Sequence, residues 1–155
     1  LPVDIAQVTK DAVASAQVAG PDHEISLSGD LDELYTLGDQ HRIHQVVANL
    51  LANARTHTPA GTQIAVSIAE GSDGVRIAVS DSGPGLSDED QRRIFERFYR
   101  ADSSRVRNDG EGSGLGLSIV DAVMKAHGGS VSVDSEVGKG STFTLFFPQP
   151  SEVEL

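Results

Sequence analysis

The spacing of hydrophobic residues changes period several times along the chain. Val3, Ile5, Val8, Ala12, Val13 and Ala16 recur at helical spacing and predict a helix over residues 3–19. Gly20-Pro21-Asp22 would end it. Glu24-Ile25-Ser26-Leu27 alternates as a strand does, and Leu34–Leu37 reads as a second short strand. Asp39 is placed to cap the next helix. Over residues 40–55, Ile43, Val46, Val47, Leu50, Leu51 and Ala54 form one apolar stripe, the most regular segment of the chain. Thr58-Pro59-Ala60-Gly61 stops it.

Strand-like runs follow at Gln63–Ala69 and Val75–Ser80, around a Gly71-Ser72-Asp73-Gly74 hairpin turn. Ser87 with Asp90 opens a short helix reaching about Phe95. Residues 100–114 are polar and glycine-containing with little periodicity, and are expected to form a mobile loop of the kind that is functional or disordered. A helix is predicted over Leu117–His127, ended by Gly128-Gly129. Ser130–Asp134 and Thr142–Phe147 predict a closing hairpin, and the polar tail Pro148–Leu155 is expected to fray. Mixed helices and strands with late hairpins imply the α+β class, an α/β sandwich with one mixed, mostly antiparallel sheet covered on one face by helices.

A length of 155 residues suits one domain with a core of its own. The absence of cysteine excludes a disulfide scaffold, a thiolate metal site and a cysteine nucleophile. The net charge of −11 argues against a nucleic-acid partner. Yet six of the 12 basic residues (Arg92, Arg93, Arg97, Arg100, Arg105 and Arg107) lie in one short stretch. That cluster reads either as a solvated helix face or as a site for an anionic ligand or acidic partner. No apolar run approaches the ~20 residues of a membrane span, and there is no secretory leader. The start at Leu1 rather than Met is expected of a piece of a longer protein, whose parent can still be membrane-anchored.

Six of the 16 glycines fall between Gly83 and Gly116. One cluster, Asp81-Ser82-Gly83-Pro84-Gly85, follows a strand; the other, Gly110-Glu111-Gly112-Ser113-Gly114-Leu115-Gly116, precedes a helix. Glycine lets backbone N–H groups approach a ligand, and a helix N-terminus adds unpaired donors, so the second cluster can hold phosphate; a flexible linker explains it equally well. Gly138-Lys139-Gly140 lacks the Ser/Thr of a P-loop, and Gly112-x-Gly114-x-Gly116 lacks dinucleotide-fold spacing. Asn49, Asn53 and Thr56 share a flank of helix 40–55, where asparagine oxygens suit Mg²⁺ or merely border the core. Asp81 can accept a hydrogen bond from an adenine amino group, or is an ordinary turn aspartate.

Five segments occur in an order that resembles the catalytic domain of sensor histidine kinases, within the ATPase superfamily shared with gyrase-type topoisomerases, heat-shock chaperones and mismatch-repair ATPases. His44–Ala54 resembles the N box, Asp81–Gly85 the first glycine box, Ile94–Arg100 the F box, Gly112–Leu117 the second glycine box and Gly138–Phe143 the third. The match spans nearly the whole chain, in a style similar to actinobacterial kinases. The resemblance implies a Bergerat-type ATP-binding fold over residues 1–148, with a mobile ATP lid at about 100–115 and a tail at 149–155. Asp81 would read the adenine in a pocket shaped by Gly83 and Gly85. Asn53 and Asn49 would hold Mg²⁺ and the phosphates, and Arg100 and Arg105 would approach the triphosphate. His57, Gly112, Ser113, Gly114, Leu115, Gly116, Leu117 and Thr142 would complete the ATP site. The family often carries Lys or Arg at the position of Thr56. Arg55 stands one step earlier, swung ~100° away on a helix, so phosphate contact there is in doubt.

By the same resemblance the reaction would be transfer of the ATP γ-phosphoryl group to a histidine, with a Mg²⁺ cofactor. Hydrolysing relatives carry a glutamate where Asn49 stands, and an amide is not a general base. None of His23, His41, His44, His57 and His127 has the phosphoacceptor pattern; His23 is expected as a surface histidine. The partners implied are the parent's own dimerisation and phosphoacceptor domain before residue 1, commonly a homodimer, and a response regulator. Neither nucleic acid nor direct membrane contact is expected of this cytoplasmic domain, whose parent is expected in the bacterial inner membrane. Two other readings compete. One is a hydrolysing ATPase or serine kinase of the same superfamily, disfavoured by Asn49 and the F box; the other is a degenerate nucleotide-binding interaction module, favoured only by Thr56.

Overall fold

The computed structural model describes residues 2–19, 22–30, 32, 34–97, 99 and 116–149. The first helix is shorter than its apolar spacing predicts. Residues Pro2–Asp4 form strand β1, and helix α1 runs Ile5–Ala19. Asp4 makes the break: its Oδ1 accepts from the N–H groups of Ala6 (3.1 Å), Gln7 (3.4 Å) and Leu34 (3.2 Å), capping the helix behind it. Val3 is buried as expected, but in β1, antiparallel to β3 (Tyr35–Leu37) with Val3 opposite Thr36. Burial of one residue fits either period, so spacing alone did not separate the two.

The main sheet contains β2 (Glu24–Gly29), β4 (Gln63–Gly71), β5 (Gly74–Asp81), β6 (Ser130–Glu136) and β7 (Gly140–Pro148), in the order β2-β4-β5-β7-β6. β2 and β4 are parallel; the other pairs are antiparallel. Ile64, Val66 and Ile68 on β4, Ile77 and Val79 on β5, and Phe143, Leu145 and Phe147 on β7 turn to one face and are buried. Their alternate neighbours, such as Ser67, Ala78 and Thr144, remain more accessible.

Three helices cover the apolar face: α1, α2 (Gln40–Thr56) and α4 (Gly116–Ala126), with α2 packed between the other two. The short helix α3 (Asp88–Arg93) packs near β6. The predicted stripe of α2 is buried in full, and each fully buried Ile or Leu of this kind contributes roughly 1.5–3 kcal/mol. Asp39 caps α2, accepting from the N–H groups of His41 (2.9 Å) and Arg42 (3.2 Å). Those N–H groups hold the Asp39 carboxyl below the usual range. The end of α4 is tied to this cap: Asp39 N–H donates to His127 Nε2 (3.1 Å), while His127 Nδ1 lies 2.9 Å from the Val123 carbonyl. These partners select the Nδ1–H tautomer.

Candidate functional site

An open cleft lies between the C-terminal end of α2, the loop after β5 and the start of β7. Asn53, His57 and Thr58 form one side, Asp81, Pro84, Gly85 and Leu86 a second, and Ile94, Ser141 and Phe143 complete it. Thus α2 and the Asp81–Gly85 loop, separate in sequence, face one space. His57 is the C-cap of α2, its N–H bonded to the Asn53 carbonyl at 3.0 Å.

Asp81 ends β5 opposite Ser141 of β7. Its Oδ1 accepts from the Gly83 N–H at 2.9 Å. Burial pushes its carboxyl up, opposed by backbone N–H groups of Gly83 and Ser141. A carboxylate so placed keeps acceptor capacity for an amino group in the cleft.

The loop is held by backbone contacts. Gly85 has φ +77°, and a Cβ there would lie 2.2 Å from the Glu136 carbonyl oxygen. A Cβ on Gly83 would meet Thr58 Cγ2 at 2.5 Å, and one on Gly140 would meet the Asp81 carbonyl oxygen at 2.0 Å. Gly138 N–H donates to the Pro84 carbonyl at 2.8 Å. The first and third glycine boxes therefore lock together.

Behind the cleft, Thr58 Oγ1 donates to the Ala54 carbonyl at 2.7 Å and lies 2.9 Å from His23 Nε2. With its own proton committed, the hydroxyl accepts from His23 Nε2–H. His23, expected on the surface, is buried because the turn into β2 folds under the end of α2, where Gly61 N–H bonds the Asp22 carbonyl at 2.7 Å.

The other predicted residues divide into three groups. Asn49 lies one turn before Asn53, its amide donating a long 3.5 Å contact to the Gly116 carbonyl. Gly116 opens α4, and Leu117 is buried beneath it. Thr142 sits on the opposite sheet face, its Oγ1 2.8 Å from Ser80 Oγ; strand alternation gives the cleft Ser141 and Phe143 instead. Arg100, Arg105, Gly112, Ser113, Gly114, Leu115 and the predicted lid lie outside the described residues. Arg55 does not line the cleft, as its angular offset predicts, and its Nε is buried without a hydrogen-bond partner among the described residues.

Thr58, Pro84, Leu86, Ile94, Ser141 and Phe143 line the cleft without having been singled out for it. Ser141 and Phe143 follow from the β5–β7 register, which no local pattern announces. Among the described residues, no three His, Asp or Glu side chains are grouped to hold a metal ion. The amide oxygens of Asn49 and Asn53 fit Mg²⁺, which takes few protein ligands and completes its shell with water and substrate phosphates.

Known proteins share this fold. Residues 38–151 match the family described as histidine kinase-, DNA gyrase B- and HSP90-like ATPase. The probable sensor histidine kinase TcrY of Mycobacterium tuberculosis is 47% identical over 137 residues, covering 88% of this chain and 29% of TcrY. The chain thus spans under a third of that relative. The solved structure of the mycobacterial sensor histidine kinase MprB superposes with a TM-score of 0.84 at 28% identity, covering 97% of this chain and all of that one. The ATP-binding domain of PrrB from Mycobacterium tuberculosis superposes at 0.78, also at 28% identity, covering 97% of this chain and 98% of that one. With the family's model matching most of the sequence and residues of its N box, first glycine box, F box and third glycine box lining one cleft, the chain belongs to the histidine kinase-, DNA gyrase B- and HSP90-like ATPase family.

Proposed function

We propose that this chain is the catalytic domain of a two-component sensor histidine kinase. It holds ATP and passes the γ-phosphoryl group to a histidine of a separate dimerisation and phosphoacceptor domain, for relay to a response regulator. The observation that carries this reading is the meeting of Asn53 and Asp81 in one cleft. Residues 1–148 form the domain and 149–155 its tail; the parent is a homodimer anchored in the inner membrane, with this domain on the cytoplasmic side.

Asp81 accepts from the adenine amino group, and Ile94 and Phe143 face the base. Gly83 and Gly85 keep the loop close enough to leave it room. Asn49 and Asn53 hold Mg²⁺ toward the phosphates; the ion, when bound, neutralises charge on the transferring group. Arg100 and Arg105 are assigned to the triphosphate from the sequence. The bond from γ-phosphorus to the β–γ bridging oxygen breaks as one to an imidazole nitrogen forms, and ADP leaves. Asn49 cannot take a proton from water, so hydrolysis is slow beside transfer.

Calorimetric titration with ATP, with and without Mg²⁺, beside Asp81→Asn, tests the reading. Binding that needs Asp81 and tightens with Mg²⁺ supports it. A folded domain that ignores ATP refutes it for this chain.

A further inference from the structure

Between α3 and residue 99 the chain closes on itself. Ser87 caps α3 through the Asp90 N–H (3.1 Å), and Gln91 Nε2 ties the helix to the carbonyls of Leu86 (3.1 Å) and Ser135 (3.0 Å). The Asp90 side chain is buried, with 7% of the residue exposed, and its Oδ1 accepts from the Tyr99 hydroxyl. Arg93 covers the Tyr99 ring, its Cζ 4.5 Å from the centroid, and pairs with Glu96 at 3.0 Å. Backbone bonds complete the turn: Glu96 N–H to the Arg93 carbonyl (2.9 Å) and Tyr99 N–H to the Glu96 carbonyl (3.2 Å). The Asp90 hydrogen bond raises the Tyr99 phenol to about 12, so it remains a donor at neutral pH.

Within this loop lie Ile94, which lines the cleft, and Phe95, whose ring meets Phe143 edge-on at 6.1 Å. Burying a carboxylate is costly unless it is hydrogen-bonded, and among the described residues the Tyr99 hydroxyl supplies that bond to the Asp90 side chain.

We propose that Asp90 and Tyr99 are positioning residues of the nucleotide site: their hydrogen bond closes the chain between them into a ring that holds Ile94 at the wall of the cleft and Phe95 against Phe143, which faces the bound base. This rests on the reading of the cleft as the adenine site. Because coupling is reciprocal, a bound nucleotide should in turn steady the ring.

The test compares ADP affinity and amide exchange for this chain, Asp81→Asn, Tyr99→Phe and Asp90→Asn. Tyr99→Phe keeps the ring beneath Arg93 and removes only the hydroxyl. It is expected to weaken ADP by about fivefold, the low end of measured couplings, and to abolish ADP-dependent slowing of the Glu96 and Tyr99 amides. Asp90→Asn keeps an acceptor and should fall between Tyr99→Phe and the unmodified chain; it also serves if Tyr99→Phe does not fold. A Tyr99→Phe domain that melts lower yet binds ADP unchanged has lost only structural support, and overturns the proposal. Loss of ATP affinity without loss of ADP affinity also overturns it, since the ring would then act on the phosphates. If Asp81→Asn binds ADP as the unmodified chain does, the adenine reading fails, and the proposal with it.

Discussion

A methyl group added at Gly85 and one added at Gly116 would meet opposite surroundings. At Gly85 it would enter the Glu136 carbonyl, on a backbone whose positive φ already disfavours a side chain. At Gly116 nothing lies within 4 Å, and the residue is the first of α4. Both glycines belong to motifs that resemble phosphate- or nucleotide-binding loops, yet the fold itself demands only the first. The Asp81–Gly85 loop is closed by backbone approach to β6 and β7. At Gly116 the packing of the described residues asks for no glycine.

The largest expected effect comes from forcing the closed side open. Gly85→Ala should cost ~3 kcal/mol or more, combining the left-handed backbone penalty of about 1–2 kcal/mol with the carbonyl clash. For a domain of this size that lowers Tm by roughly 10 °C, measurable by calorimetry. A near-native Tm would mean that the loop reseats easily and that its closure is not what shapes the cleft.

Asp81→Asn should separate binding from stability on the same side. ATP affinity should fall about 10- to 100-fold, since a hydrogen bond to a charged group is worth roughly 1.5–3 kcal/mol. Tm should not fall with it. Burial raises the folded carboxyl above its ordinary value of 3.8, so the stability it contributes is fully present below that pH and is lost as pH rises through the folded value. Asparagine escapes that loss, so the variant's Tm should gain on the unmodified chain as pH climbs above 3.8. A constant difference across that range would contradict the burial account.

Thr58→Val keeps the shape that Gly83 packs against but removes the hydroxyl between His23 and Ala54. It should destabilise by about 1–2 kcal/mol in denaturant titration, the cost of two buried groups losing a partner. No change would imply that water replaces the hydroxyl.

The smallest change in stability belongs to the open side. Gly116→Ala should be neutral or stabilising by up to ~1 kcal/mol, following helix propensity, while weakening ATP binding. A variant equal to the unmodified chain in both respects would remove the contrast between the two glycines.

Much of this was legible in the sequence because it is periodic or local. The stripe of α2, the Asp39 and Ser87 caps and the turn at Gly71–Gly74 each depend on residues within a few positions of one another. The angular offset of Arg55 from Asn53 also follows from helix geometry alone. Apolar spacing does not find the start of α1, because β1 gains its strand identity from β3, some thirty residues later. His23 was placed on the surface because its partner Thr58 is 35 residues away. Thr142 lies outside the cleft that Ser141 and Phe143 line, because the glycine box marks a segment and not which side of the strand faces inward.

The sequence by itself determined most of the elements and the order of motifs that identifies the family. Only the tertiary structure decided that Ser141 and Phe143 line the cleft, that Gly140 admits the Asp81 backbone, and that Asp90 buries its carboxylate against Tyr99. The physical reason is range: propensity and periodicity act over one or two turns, whereas the register of β5 on β7 and the seat of α2 on the sheet are set by burying apolar faces from distant segments together.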